Sequence, residues 1–375
     1  MDNTRLLRSD ALNLLRFPLA VVVVIVHTFS YEEIVVSGIT YQPSEYSLFC
    51  DASLFVDAFV RGISVPIYFF ISGYVFFIGV NFCKDIYVKK IKNRINTLLI
   101  PYIIWNAITI FFILFKSLPI FESFLSYNTS DLNISCSTIL KCFWCYDDSL
   151  NPHPIRGTLD KYEPINLPLW YLRDLMVIVL TTPIINLIVK RLKKYSIFVF
   201  LSIYIVSLAL HLPISRLFGG YFFFSLGAFM GIFNIDMMLV FKKYFKLSIV
   251  LYFFNSIMYL LFCSSMPEIA NWLKVINAIF ALLASFNIAV WILQNTSLKV
   301  SPFLASSSFF IYVSHIILIG RLRKVLFMII KPDNGVAVLS IYVLTALLSV
   351  LFLLLTFFFL KKYFPSILKL VAGRK

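Results

Sequence analysis

The stretch Arg16-Phe17-Pro18-Leu19-Ala20-Val21-Val22-Val23-Val24-Ile25-Val26-His27 joins a guanidinium to an imidazole through ten apolar residues. An α-helix turns about 100° per residue, so the eleven steps from Arg16 to His27 return both side chains to within about 20° of one face. They stand about 16 Å apart along the axis, about half the thickness of a bilayer core. Ionisable groups at membrane depth are costly and face a protein interior or a wet cavity. The pair therefore points to a site within a membrane, reached from both sides.

Composition carries this reading to the whole chain. Apolar residues make up 60% and charged residues only 14%, where a soluble domain has about a quarter charged. We read residues 1–375 as one integral membrane domain, an all-α polytopic transmembrane helix bundle. Ten spans are expected: 11–30, 62–80, 95–117, 168–189, 195–213, 217–235, 246–264, 272–294, 302–320 and 337–360. The net charge of +15 would suit nucleic acid. Its cations, however, cluster in short connections between apolar runs, the positive-inside pattern, so no nucleic-acid partner is expected.

That pattern places Lys84, Lys89, Lys90, Lys92 and Arg94 in the cytoplasm, with 190–194, Lys242-Lys243 and the tail 361–375. Both termini then lie on the cytoplasmic side. The acidic segment 31–61 and the outer loop of about 118–167 fall outside. Arg321, Arg323, Lys324 and Lys331 land outside against the rule. Their region reads as re-entrant, as substrate-facing, or as the sign of a miscounted span. The long first apolar run lacks a small-residue cleavage site, so no cleaved signal peptide is expected, nor an appended soluble domain after residue 360.

Cys136, Cys142 and Cys145 share the outer loop, where an oxidising compartment would permit a disulfide. Cys142-Phe-Trp-Cys145 has the spacing of half a zinc or redox site, but no second pair follows, so no metal is expected. Asn128-Thr-Ser130 and Asn133-Ile-Ser135 match the glycosylation sequon, which matters only where that pathway operates.

Several motifs, met in order, carry a family likeness. Arg16-x10-His27 resembles the signature of the acyltransferase-3 membrane proteins, which acylate cell-surface carbohydrates. Arg61-x4-Pro66-Ile-Tyr-Phe-Phe-Ile-Ser72-Gly73-Tyr74 resembles that family's second-span motif. Arg94 with Ile100-Pro101-Tyr102 and Trp105 is similar to its third-span entry. Leu169-Trp170-Tyr171-Leu172-Arg173-Asp174-Leu175 resembles its Leu-Trp-Phe-Leu motif. Phe224-Ser-Leu-Gly227 and Ser308-Phe-Phe-Ile-Tyr312-Val-Ser-His315 are similar to its later landmarks. Asn13 stands where the family usually has Asp, and Thr97 where many members have a second arginine. Lys90, Lys92 or Asn96 would then share in holding donor phosphates.

The resemblance implies an O-acyltransferase, with an acyl group, acetyl first, moving from cytoplasmic acyl-CoA to a surface polysaccharide or lipid-linked glycan. Such an enzyme sits in a bacterial inner membrane and holds no permanent cofactor; acetyl-CoA is a co-substrate. The residues supply matching chemistry. A hydroxyl is a poor nucleophile at neutral pH, and histidine suits the role of base, so His27 is read as general base or acyl relay, with Arg16 its partner. Arg16, Arg94, Lys90 and Lys92 suit the phosphates of coenzyme A. An extended acyl-pantetheine arm matches the Arg16–His27 separation. Ser72, Tyr74 and Trp170 are oxyanion candidates, and Arg61, Arg173 and Asp174 candidates for the acceptor.

Each residue also has a structural reading. Arg16 could snorkel to an interface, His27 and His315 could tie helices together, and Arg61 could pair with Asp174. Ser72 and Gly73 could serve close helix packing. His153 and His211 are read as incidental. A transporter or flippase for a glycan intermediate is the alternative function, although no internal repeat is visible; a non-catalytic scaffold is the third. The sequence leaves the oligomeric state open.

Overall fold

The computed structural model describes residues 2–116, 136–144 and 163–373. Cys145, His153 and both sequons lie outside them. The described residues form a helical bundle, the architecture that satisfies every backbone polar group without water. Helix α1 (Asp2–Thr28) carries Pro18 in its interior. A hairpin of β1 (Ile34–Val36) and β2 (Ile39–Tyr41) follows, pairing Ile34 with Tyr41. Ser37 and Gly38 turn it with φ of 51° and 78°, the double positive φ of a type I′ turn. Next come α2 (Ser47–Phe59) and α3 (Ser64–Phe77). Helix α4 (Lys84–Arg94) runs through a π-helical turn at Ile95–Leu99 into α5 (Ile100–Lys116). Beyond α6 (Cys136–Cys142), a 3-10 turn at Leu167–Leu169 leads into α7 (Trp170–Leu180) and α8 (Thr182–Leu192). The chain continues as α9 (Tyr195–Ala209), α10 (Ser215–Ile232), α11 (Met237–Lys242), α12 (Phe245–Phe262), α13 (Pro267–Asn295), α14 (Pro302–Ile330), α15 (Gly335–Tyr363) and α16 (Pro365–Ala372).

Among the described residues, seven helical stretches are long and apolar enough to cross a membrane. There are eight if α7 and α8, which meet at 63°, form one broken span. The expected count of ten is therefore not reached, for two physical reasons. Helix α9 has 15 residues, about 22 Å of helix, short of the roughly 30 Å core. Helix α10 is interior: its Gly219, Gly220, Ser225, Gly227 and Gly231 are buried, and these small residues dilute its apolarity. They let its backbone lie directly on α3. A β-carbon on Gly73 would come 2.0 Å from the Phe224 carbonyl oxygen, and one on Gly227 2.1 Å from that of Phe70.

Three other expectations change. Segment 31–61 is no plain loop, since it contains the hairpin and α2, whose apolar stretch runs on to Phe77. Helix α14 extends to Ile330 rather than stopping near 320, so three of the four misplaced cations are helical and Lys331 is the helix cap. Arg323 is buried; it donates to the Thr28 carbonyl (3.2 Å) and Ser30 Oγ (2.7 Å) and pairs with Glu32 at 2.8 Å. Arg321 lies over the Phe112 ring at 4.2 Å and bonds the Ile317 carbonyl. These two arginines are internal ties and so do not report topology as loop cations do. The tail 361–375 is structured too. Lys361 and Lys362 complete the last turn of α15, and α16 packs on α5, where Trp105 Nε1 donates to the Val371 carbonyl at 2.8 Å.

Candidate active site

Helix α1 crosses α3 in an antiparallel sense. Ser64 Oγ donates to the Leu19 carbonyl (2.9 Å), the Tyr68 hydroxyl to the Arg16 carbonyl (3.2 Å), and Arg8 Nη1 to the Tyr74 hydroxyl (3.0 Å). This fixes Tyr68 beside Arg16, and the phenol and guanidinium interact electrostatically. Arg94 ends α4 at the π-helical turn, a distortion often found at functional sites. It interacts in the same way with Tyr171 on α7. Ser72 Oγ lies 3.4 Å from the Tyr171 hydroxyl.

From these two arginines a row of rings leads through the bundle. Tyr68 and Tyr171 have centroids 5.9 Å apart, Tyr171 and Tyr312 also 5.9 Å, and Tyr68 and Tyr312 6.5 Å. The Tyr312 hydroxyl donates to the Pro168 carbonyl. The Tyr312 ring lies 6.3 Å from His315, and His315 lies 5.2 Å from His27, with the imidazoles tilted by 48°. Five helices (α1, α3, α4, α7 and α14) thus supply one continuous path from Arg16 and Arg94 to His27.

His315 is fully buried. Its Nδ1 lies 2.6 Å from the Tyr312 carbonyl, so Nδ1 carries the hydrogen and donates it. Nε2 is then a lone-pair acceptor, and it has no hydrogen-bond partner among the described residues. The expected interhelical tie through His315 is instead a bond within its own helix. His211 sits in a turn with φ of 49°, outside the ring row.

The other candidates find varied partners. Tyr74 is buried and its hydroxyl is taken by Arg8. Arg61 is an exposed partner of Asp57, not of Asp174; Asp174 is buried and paired with Arg173 at 2.8 Å. Arg173 also donates to the Trp144 carbonyl at 2.8 Å. Trp170 stacks under Arg216, whose guanidinium pairs with Glu163. Asn13 is half-buried on α1, one turn before Arg16. The ammonium of Lys90 bonds the Phe76 carbonyl at the end of α3 and covers the Phe76 ring. Lys89, Lys90, Lys92, Asn93 and Asn96 line an open groove of about 510 Å³, whose side chains suit an anionic ligand.

The residues without an assigned role in the sequence are Tyr68, Tyr171 and Tyr312. Each stood inside a quoted motif, yet only the folded helices bring the three rings together. Arg323 gave a signal as a misplaced cation, without indicating its partner.

The fold and this site define a multi-pass membrane protein with two cations at one end of an internal aromatic path and two imidazoles at the other. The chain belongs to the acyltransferase-3 family: an acyltransferase domain matches residues 9–357. It is similar to the succinoglycan biosynthesis protein ExoH of Rhizobium meliloti (strain 1021), at 27% identity over 176 residues. That alignment covers 46% of this chain and 42% of that protein, so the chain spans less than half the length of the curated relative it matches. No solved structure matches the chain.

Proposed function

We propose that the chain is an O-acyltransferase of the bacterial inner membrane. It moves an acetyl group from cytoplasmic acetyl-CoA to a hydroxyl of a surface polysaccharide or its lipid-linked precursor. The single observation that carries this reading is the continuous row from Arg16 and Arg94 through three tyrosines to His315 and His27. The relative named for succinoglycan biosynthesis supports a polysaccharide as the acceptor.

In this reading the phosphates of the donor lie near Arg94, Arg16 and Lys92, where guanidinium forks and an exposed ammonium meet them. The pantetheine arm follows the tyrosine row and brings the thioester to His27. His27 takes the proton of the acceptor hydroxyl as its oxygen attacks the thioester carbon. The C–S bond breaks, and His27 returns the proton to the departing sulfur. The buried Tyr171, Tyr312 and His315 along this row limit the water that would otherwise hydrolyse the thioester. In this reading both termini share the cytoplasmic side with the donor, and the glycan arrives from the opposite face.

The test is chemical. Surface polysaccharide from cells carrying the intact gene, the His27→Ala allele or no gene is compared for ester-linked acetate. The reading expects acetate with the intact gene alone. Equal acetate in all three would overturn it, and an altered amount of surface glycan with unchanged acetylation would favour transport.

A further inference from the structure

Two features of His315 do not follow from a packing role. Its side chain is wholly buried, yet Nε2 has no hydrogen-bond partner among the described residues, and an unsatisfied buried acceptor costs free energy that packing alone does not return. Its ring is also the immediate neighbour of His27, at 5.2 Å between centroids. The bond from Nδ1 to the Tyr312 carbonyl at 2.6 Å settles the tautomer, so the open nitrogen presents a lone pair and not a hydrogen.

We propose that His315 is the positioning residue of His27: in the reacting complex its Nε2 accepts an N–H hydrogen bond from the His27 imidazole. This inference rests on the acyl-transfer reading above. When His27 takes the hydroxyl proton it becomes an imidazolium beside the buried His315 ring, which itself lies against Tyr312. An acceptor on one nitrogen stabilises that cation and aims the other nitrogen at the hydroxyl, the part a carboxylate plays in a catalytic triad. The proton inventory closes without His315: one proton leaves the hydroxyl oxygen, rests on His27 and departs on the thiol of coenzyme A. His315 starts and ends neutral. Hydrogen bonds of this kind are often long in a ligand-free site and tighten in the complex.

Asparagine and glutamine separate this role from a structural one. His315→Asn keeps an amide donor where Nδ1 stands, so the bond to the Tyr312 carbonyl survives, but it has nothing at the Nε2 position. His315→Gln places an amide oxygen near the Nε2 position. The experiment measures acetyl-CoA-dependent CoA release and acetyl transfer by full-length wild type and both variants in lipid nanodiscs, with thermal unfolding of each. The expected result is a kcat for His315→Asn lower by about 10²-fold, a KM for acetyl-CoA within about twofold of wild type, and a kcat for His315→Gln at least tenfold above that of the Asn variant, with about equal unfolding midpoints. Equal kcat in wild type and the Asn variant, or loss in both variants that tracks lowered unfolding midpoints, overturns the proposal. An inactive wild type would instead count against acyl transfer itself, so the two failures are distinguishable.

Discussion

Gly73 and Gly227 hold α3 and α10 backbone to backbone: a β-carbon on either would lie within 2.1 Å of a carbonyl oxygen of the facing helix. Without a hydrophobic driving force between helices in lipid, such close approach of small residues is what binds spans together. Gly227→Ala should therefore force the helices apart and destabilise the protein by about 1–3 kcal/mol. Gly320→Ala, where a β-carbon meets nothing within 4 Å, should be neutral. Thermal unfolding of the detergent-solubilised variants checks this, and equal midpoints for the two would refute the contact.

The clamp around Arg323 makes a second prediction. Its guanidinium serves the Thr28 carbonyl, Ser30 Oγ and Glu32 together, in a segment that begins one residue beyond His27. Removing one partner of a buried pair leaves the other uncompensated, and an ammonium cannot serve three acceptors as a planar fork does. Both Arg323→Ala and Arg323→Lys should lower the unfolding midpoint, the alanine variant more. Limited proteolysis between α1 and α2 should be faster in both. A lysine variant indistinguishable from wild type would show that charge alone suffices.

A third prediction concerns the cationic end. Lys92 is exposed on the groove and Arg94 stands next to the tyrosine row. Lys92→Ala should raise the KM for acetyl-CoA about fivefold, equivalent to about 1 kcal/mol of binding. It should leave kcat unchanged, because a phosphate contact made equally in ground and transition states affects binding alone. The effect should shrink as salt is raised, since exposed charges are screened. Steady-state kinetics at two ionic strengths tests this; a fall in kcat with unchanged KM would move Lys92 out of donor binding.

Helix α16 gives a fourth. Trp105→Phe keeps an aromatic ring, smaller than the indole, but removes the donor to the Val371 carbonyl, a bond of about 1 kcal/mol. The C-terminal helix should then be cut faster by a protease. An unchanged cleavage rate would mean that the apolar contacts of α16 alone hold it.

The long spans were legible because each announces itself by an apolar run, whereas α2 and α16 lay in segments read as a loop and a tail. The number of crossings was not legible from apolarity. Helix α10 trades apolar side chains for glycines that only make sense against α3, and the window that finds spans cannot see a partner helix. The misplaced Arg321 and Arg323 were visible as an anomaly, but a sequence shows a charge without its neighbour, and Glu32 lies far away in the chain. For the same reason Tyr68, Tyr171 and Tyr312 sit in three separate motifs that become one row only through tertiary packing. Lys90 has the look of a phosphate ligand in sequence, whereas its ammonium caps the end of α3.

The most direct test of acyl transfer centred on His27 is CoA release from radiolabelled acetyl-CoA by purified wild type and His27→Ala in nanodiscs, with label followed on protein and glycan. The account predicts saturable release by wild type and loss of about 10²-fold or more in a variant that unfolds at the same temperature. Label retained on wild-type protein would mark His27 as a covalent relay, and label on glycan alone as a general base. Undiminished release by His27→Ala would contradict the account.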